Sequence, residues 1–95
     1  MIYRISSEAE RDLGSIWAYT AKRWEPEQAD TYIDTLVGRF AWLTRNRPLW
    51  QVRSDIREGV YAYPEQSHAI FFRTWDGGIE ILRVLHRRMD FKRHL

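Results

Sequence analysis

Hydrophobic and polar positions along this chain change period once, near the middle. Residues 1–6 alternate, with Tyr3 and Ile5 on one face and Ile2 and Arg4 on the other, which predicts a short strand. Ala9, Leu13, Ile16, Trp17 and Trp24 then recur at helical spacing, with Thr20 inside the stripe and Tyr19 at its edge, and predict an amphipathic helix to about Arg23. Ser7-Glu8-Ala9-Glu10 matches a capping box at its start. The acids Glu8, Glu10 and Asp12 precede the bases Lys22 and Arg23, as the helix dipole favours. Glu25-Pro26 breaks this helix and opens another, in which Ala29, Tyr32, Ile33, Leu36, Phe40 and Leu43 repeat at three and four until about Arg45. So short a connection makes the two helices an antiparallel hairpin.

Beyond the helices the period falls to two. Residues 58–63, 68–75 and 79–85 read as strands, separated by a turn at Pro64-Glu65-Gln66-Ser67 and a tight hairpin at Asp76-Gly77-Gly78. In the last strand Ile79, Ile81, Arg83 and Leu85 share one predicted face and Glu80, Leu82 and Val84 the other; both faces are partly apolar, so the strand is expected to be central. Residues 89–95 form a short basic helix, with Asp90 as its cap, or a loose tail. The order β-α-α-β-β-β predicts one α+β domain over residues 1–95, a helical hairpin packed on a small, mainly antiparallel sheet.

Composition narrows the function. The chain has 95 residues and no Cys, which excludes disulfides and thiolate chemistry and favours a reducing compartment for so small a domain. No secretory leader and no run of about 20 apolar residues is present, so the expected location is the cytoplasm, without membrane association. Three isolated His residues make no metal site, and no cofactor motif occurs. Five Trp is a high number for this length: large rings supply burial that a short chain lacks, or some of them face a partner. The net charge is +2, but the segment from Ile81 onward holds Arg83, Arg87, Arg88, Lys92 and Arg93 against the single acid Asp90. All the bases except Lys22 and Lys92 are Arg.

Several stretches in this order resemble the ParE branch of the RelE/ParE toxin superfamily across nearly the whole chain. They are Ala9…Asp12-Leu13…Ile16-Trp17…Tyr19, Trp24 with Gln28-Ala29…Tyr32, Ser67-His68-Ala69-Ile70-Phe71-Phe72-Arg73, and above all Ile81-Leu82-Arg83-Val84-Leu85-His86-Arg87-Arg88-Met89-Asp90 with Arg93-His94-Leu95. The chain departs from the family's habit at Phe72, where a Tyr is frequent, and at Pro48-Leu49-Trp50, where a Gly often follows the Pro. The resemblance implies a toxin of a type II toxin–antitoxin pair that inhibits DNA gyrase, and so replication, by protein contact without catalysis, and that a ParD-like antitoxin neutralises.

The rival reading is the RelE branch, which shares the fold and cleaves mRNA on the ribosome. Such cleavage needs a base, an acid and cations on the phosphate; Arg57, Arg73, Arg83 and His86 are the candidates. Against it, no Tyr follows Tyr63 and the bases are Arg rather than a Lys cluster. A DNA-binding module is a third possibility, opposed by the small net charge, the 13 acids and the lack of a reading motif; direct nucleic-acid binding is not expected. For the gyrase reading the expected target contacts are Arg83, His86, Arg87, Arg88, Lys92 and Arg93. For the antitoxin, an amphipathic partner would use a groove on the hairpin, with Trp17, Tyr19, Trp24 and Trp42 as candidate linings.

Overall fold

The computed structural model describes residues 2–95; the predicted first position of the opening strand, Met1, lies outside them. The elements run β1 (Ile2–Ile5), α1 (Ser7–Arg23), α2 (Pro26–Thr44), a 3-10 turn (Arg47–Leu49), β2 (Gln51–Val52), β3 (Tyr61–Glu65), β4 (His68–Trp75), β5 (Gly78–His86) and α3 (Phe91–His94). The strands form one sheet in the order β1-β5-β4-β3-β2, with β1 parallel to β5 and every other pair antiparallel. This is the expected α+β class, and β5 is interior as expected.

Each face of the sheet has its own cover. Ala9, Leu36, Phe40 and Leu43 from the helices meet Ile70, Phe72, Ile79, Ile81 and Val84 on one side. On the other, Val60, Ala62, Ala69, Phe71 and Leu85 are covered by Ile56, Leu82, Phe91 and Leu95. Phe91 of α3 packs edge-on against Phe71, at 4.8 Å between ring centroids. The basic end is therefore an ordered lid on the back of the sheet. Asp90 stands at its N-cap position, but its side chain accepts no capping bond, contrary to expectation.

The cap of α1 also differs by one residue. Ser6, not Ser7, is the N-cap, and its hydroxyl accepts the Ala9 N–H while donating to the Leu82 carbonyl. Helix start and sheet edge are thereby tied by one side chain. The strand expected at residues 58–63 runs instead from Tyr61 to Glu65, because Pro64 sits where β2 no longer pairs and a missing N–H breaks no ladder bond. Residues 46–57, which carried no periodic signal, are organised by Trp50. It donates Nε1–H to the Leu43 carbonyl at 2.8 Å and packs its ring against Tyr61 and Phe72. Phe72, the departure from the family's Tyr, is thus fully buried among rings.

The largest departure lies in β5. Phe72 pairs with Ile81 but Phe71 pairs with Arg83, so β5 carries one extra residue. The predicted face of Ile79, Ile81, Arg83 and Leu85 is broken there: Ile79 and Ile81 face the helices, whereas Leu85 joins the back layer and Val84 the helical layer. The bulge presents Arg83 and the Val84 N–H to Asp12 of α1. One carboxylate accepts Arg83 Nε–H at 2.8 Å, Arg83 Nη2–H at 2.9 Å and the Val84 N–H at 2.9 Å. That bonding raises the pKa of the Arg83 guanidinium. Asp12, read from the sequence as a helix-dipole acid, is instead the bolt between helix and sheet.

The glycines of the hairpin divide their labour. Gly77 has φ +82°, which the turn after β4 requires. Gly78 lies against β1, where a Cβ would run into the Ile2 carbonyl. Gly78→Ala is expected to destabilise the fold by about 1–3 kcal/mol, the usual cost of overpacking, in urea unfolding. Asp12→Ala strands a half-buried guanidinium and an N–H group, and should cost about 2–3 kcal/mol. A double-mutant cycle with Arg83→Met would return most of that loss as coupling.

Candidate functional site

A groove of about 890 Å³ opens between the helical hairpin and the β5 end of the sheet. Ile16, Tyr19, Thr20 and Trp24 form its α1 wall, Tyr32 and Thr35 its α2 wall, and His68, Val84, His86 and Met89 its floor and far rim. The α1 stripe explains the shape. Ala9 is buried and Leu13 and Ile16 half-buried, but the stripe runs past the sheet, leaving Tyr19 and Trp24 66% and 65% exposed. Two large rings are thus held at the mouth of the groove with no intramolecular partner layer.

The four aromatic candidates separate. Tyr19 and Trp24 line the groove. Trp17 does not: it points along the hairpin and donates Nε1–H to Asp30 at 2.8 Å, joining α1 to α2. Trp42 does not either. It packs on Tyr63 at 5.2 Å, under the Arg39 guanidinium at 4.5 Å, at the margin of the core. Periodicity placed Trp17 and Trp24 on the α1 stripe with Tyr19 at its edge, and of these Tyr19 and Trp24, at the edge and end of the stripe, are the most exposed. Tyr32, His68 and Met89 were missed because two of them are remote in sequence from the hairpin and Tyr32 reads as ordinary core.

At the floor, the Tyr32 hydroxyl and His68 Nδ1 are hydrogen-bonded at 2.6 Å, and the His68 and His86 rings meet edge to face at 5.3 Å. His86 Nδ1 accepts the Arg88 N–H at 3.1 Å, capping the turn that leaves β5. Burial, with His86 beside it, pushes the His68 imidazole down to about 4, against a smaller opposing pull from Asp12. Burial and the Glu65 carboxylate raise the Tyr32 phenol. The Tyr32–His68 pair is therefore uncharged at neutral pH.

The candidate nuclease residues do not converge. Arg73 pairs with Glu80, which also holds Arg4, at the opposite end of β5 from His86. Arg83 is engaged by Asp12 and donates Nη1–H to the His94 carbonyl. Arg57 donates to the Leu95 main-chain oxygen. Arg57 and Arg83 thus meet only at the end of α3, where they satisfy its carbonyls. Of the expected target contacts, Arg83 is consumed in this way and His86 lines the groove, whereas Arg87, Arg88, Lys92 and Arg93 are exposed and make no ion pair among the described residues. No group of three metal-ligating side chains occurs among the described residues, and no helix there is long and apolar enough to cross a membrane.

The depressed His68 sets a pH dependence. The unfolded chain protonates this ring near 6.5 and the folded chain only near 4, so stability should be constant above about pH 6.5 and fall as pH drops towards 4. With partial exposure discounted, the loss is about 1–2 kcal/mol. Urea midpoints at pH 7 and pH 5 should show it, and His68→Gln should remove it.

Known proteins resemble this molecule in both sequence and shape. Residues 3–91 match the sequence profile of the family described as ParE toxin of type II toxin-antitoxin system, parDE. Toxin ParE1 of Caulobacter vibrioides is 34% identical over 93 residues, covering 98% of this chain and 96% of its own length. Toxin ParE1 of Mycobacterium tuberculosis is 35% identical over 94 residues with the same coverage. Among solved structures, a chain of the chromosomal ParDE system from P. aeruginosa superposes with TM-score 0.79 at 22% identity, covering 90% of this chain and 95% of that one. A chain of the M. tuberculosis RelBE2 toxin-antitoxin complex is more distant, with TM-score 0.54, 23% identity and the same coverage. With a family match spanning almost the whole chain and full-length relatives at about a third identity, this chain belongs to the ParE toxins of type II toxin–antitoxin systems.

Proposed function

We propose that this toxin inhibits DNA gyrase in the cytoplasm by protein contact, without catalysis, and that a ParD-like antitoxin neutralises it by occupying the groove between the hairpin and β5. The observation that carries the target reading is the separation of charge. Arg87, Arg88, Lys92 and Arg93 stand exposed and make no ion pair among the described residues, on the turn and helix beyond β5, whereas the arginines nearer the core are neutralised by Asp12, Glu65 and Glu80. Unpaired guanidinium groups on an ordered element suit an acidic protein surface or a gyrase–DNA complex, because no internal partner must be displaced. The antitoxin reading rests on the groove, whose exposed Tyr19 and Trp24 are the kind of rigid, amphipathic anchors that dominate interfaces. Comparison adds that both structural relatives come from toxin–antitoxin systems.

The dispersal of Arg57, Arg73, Arg83 and His86 favours the non-enzymatic branch over ribosome-dependent mRNA cleavage, since general acid–base chemistry on a 2′-OH needs its groups within hydrogen-bond reach of one another's substrate atoms. α3 also changes which variant is informative. Deleting residues 89–95 would remove Phe91 and Leu95 from the back layer and destabilise the fold, confounding any loss of toxicity.

Antitoxin-free protein should abolish gyrase supercoiling while leaving mRNA intact on translating ribosomes; codon-dependent cleavage with normal supercoiling would reverse the assignment. The quadruple change of Arg87, Arg88, Lys92 and Arg93 to Gln should weaken gyrase inhibition at least about tenfold and leave the thermal midpoint nearly unchanged. Trp24→Ala should weaken antitoxin binding by about 1–3 kcal/mol in calorimetry, with gyrase inhibition retained.

A further inference from the structure

The basic end of the chain is anchored at two points, and one of them depends on a carboxylate from the hairpin. α3 has only four residues, too few to be stable unaided. Its N-cap, Asp90, makes no side-chain capping bond, and none of its residues is buried. At its start Phe91 packs on Phe71 at 4.8 Å, beneath the Arg53 guanidinium at 5.8 Å. At its far end the carbonyls of His94 and Leu95, left unpaired by so short a helix, accept Arg83 Nη1–H at 2.8 Å and Arg57 Nη1–H at 3.1 Å. Lys92 and Arg93 lie between these two anchors and are exposed.

Arg83 reaches α3 because of where β1 stops. β1 covers β5 only as far as Ile81, so the Arg83 side chain passes an uncovered edge, bonded to α1 on the hairpin side and to α3 on the back. Asp12 does two things for this reach. By accepting Nε–H and Nη2–H, the carboxylate fixes the plane of the guanidinium and leaves Nη1 aimed at His94. It also offsets a positive charge that would otherwise stand against a segment carrying Lys92 and Arg93. We infer that Arg57 and Arg83 are positioning residues for the basic segment, and that Asp12, on the opposite side of the sheet, acts on α3 through Arg83. Without the far anchor α3 pivots on Phe91, and Lys92 and Arg93 lose their fixed spacing from Arg87 and Arg88. A fixed array of charges binds a complementary surface more tightly than a mobile one, because less freedom is lost on contact. The functional half of the inference deepens the gyrase reading and rests on it; the structural half stands apart from it.

NMR of the full-length, isotopically labelled protein tests the anchor first. In the unaltered protein the Arg83 side-chain N–H signals should be resolved and show coupling across the hydrogen bond to the His94 carbonyl. A single averaged guanidinium signal would overturn the proposal, and this measurement needs no variant. Arg83→Lys keeps the charge but has no fork to serve Asp12 and His94 together, and Asp12→Asn keeps the shape but not the charge. Each should speed hydrogen exchange at the Arg93 and Leu95 amides, which donate to the Asp90 and Phe91 carbonyls, about tenfold beyond any change at Phe71 in the sheet. Arg57→Gln should do the same while leaving the Asp12 contact in place. Equal changes at α3 and at Phe71 would mean a loss of stability alone and sink the positioning role. In supercoiling assays Arg83→Lys should weaken inhibition about as much as the paired change Lys92→Gln and Arg93→Gln, and should add nothing on top of that pair. Additive losses would show that Arg83 acts on stability rather than on the array. If the unaltered protein leaves gyrase active, the gyrase reading fails, and the coupling and exchange data alone decide the anchor.

Discussion

The contact on which the rest of the structure depends is the Asp12 carboxylate against the β5 bulge. Three N–H groups converge on it: two from the Arg83 guanidinium and one from the main chain of Val84. Attraction between half-buried charges is partly spent on their desolvation, so the net stabilisation is moderate. Its geometric consequence is larger. A bidentate guanidinium and a main-chain donor admit one orientation of α1 across the sheet, and that orientation sets the groove's width. The same arginine also reaches the His94 carbonyl, so the hairpin, sheet and back lid share a single side chain.

A short chain that covers both faces of a five-stranded sheet has little left to cover anything else. The hairpin shields one face, and α3 with the residues before β3 shields the other. Part of what remains bare is the end of the α1 stripe, Tyr19 and Trp24, which lines the groove opposite the end of β5. The Tyr32–His68 pair on the groove floor is uncharged at neutral pH. Arg87, Arg88, Lys92 and Arg93 stand exposed beyond the end of β5.

Much of the fold was legible because burial on this chain is periodic. Both helices ended within a residue of their expected limits, since Pro26 and the loss of the three-four repeat after Leu43 mark them physically. β4 was bounded by Gly77 and by the turn at Gln66. β2 escaped notice because a two-residue strand has no period, and its place depends on Trp50 docking under Leu43. Of the candidate site, Tyr19 and Trp24 were legible as stripe residues at its edge and end; Trp17 carries the same signal and Trp42 was a candidate as a large ring, and both are occupied elsewhere.

By itself, the sequence determined the α+β class, the element order, the interior position of β5 and the basic character of the C-terminal segment, because each follows from local propensity, spacing or charge. The tertiary structure decided what faces what. Counting outward from the Asp76-Gly77 turn places His68 opposite Leu85; the extra residue at Leu82–Arg83 places it opposite His86 instead. It also moves Val84 beneath the hairpin and brings Arg83 to Asp12. No local pattern encodes that slip, since a bulge is stabilised by the long-range bonds it permits, here from a helix 71 residues away in the chain.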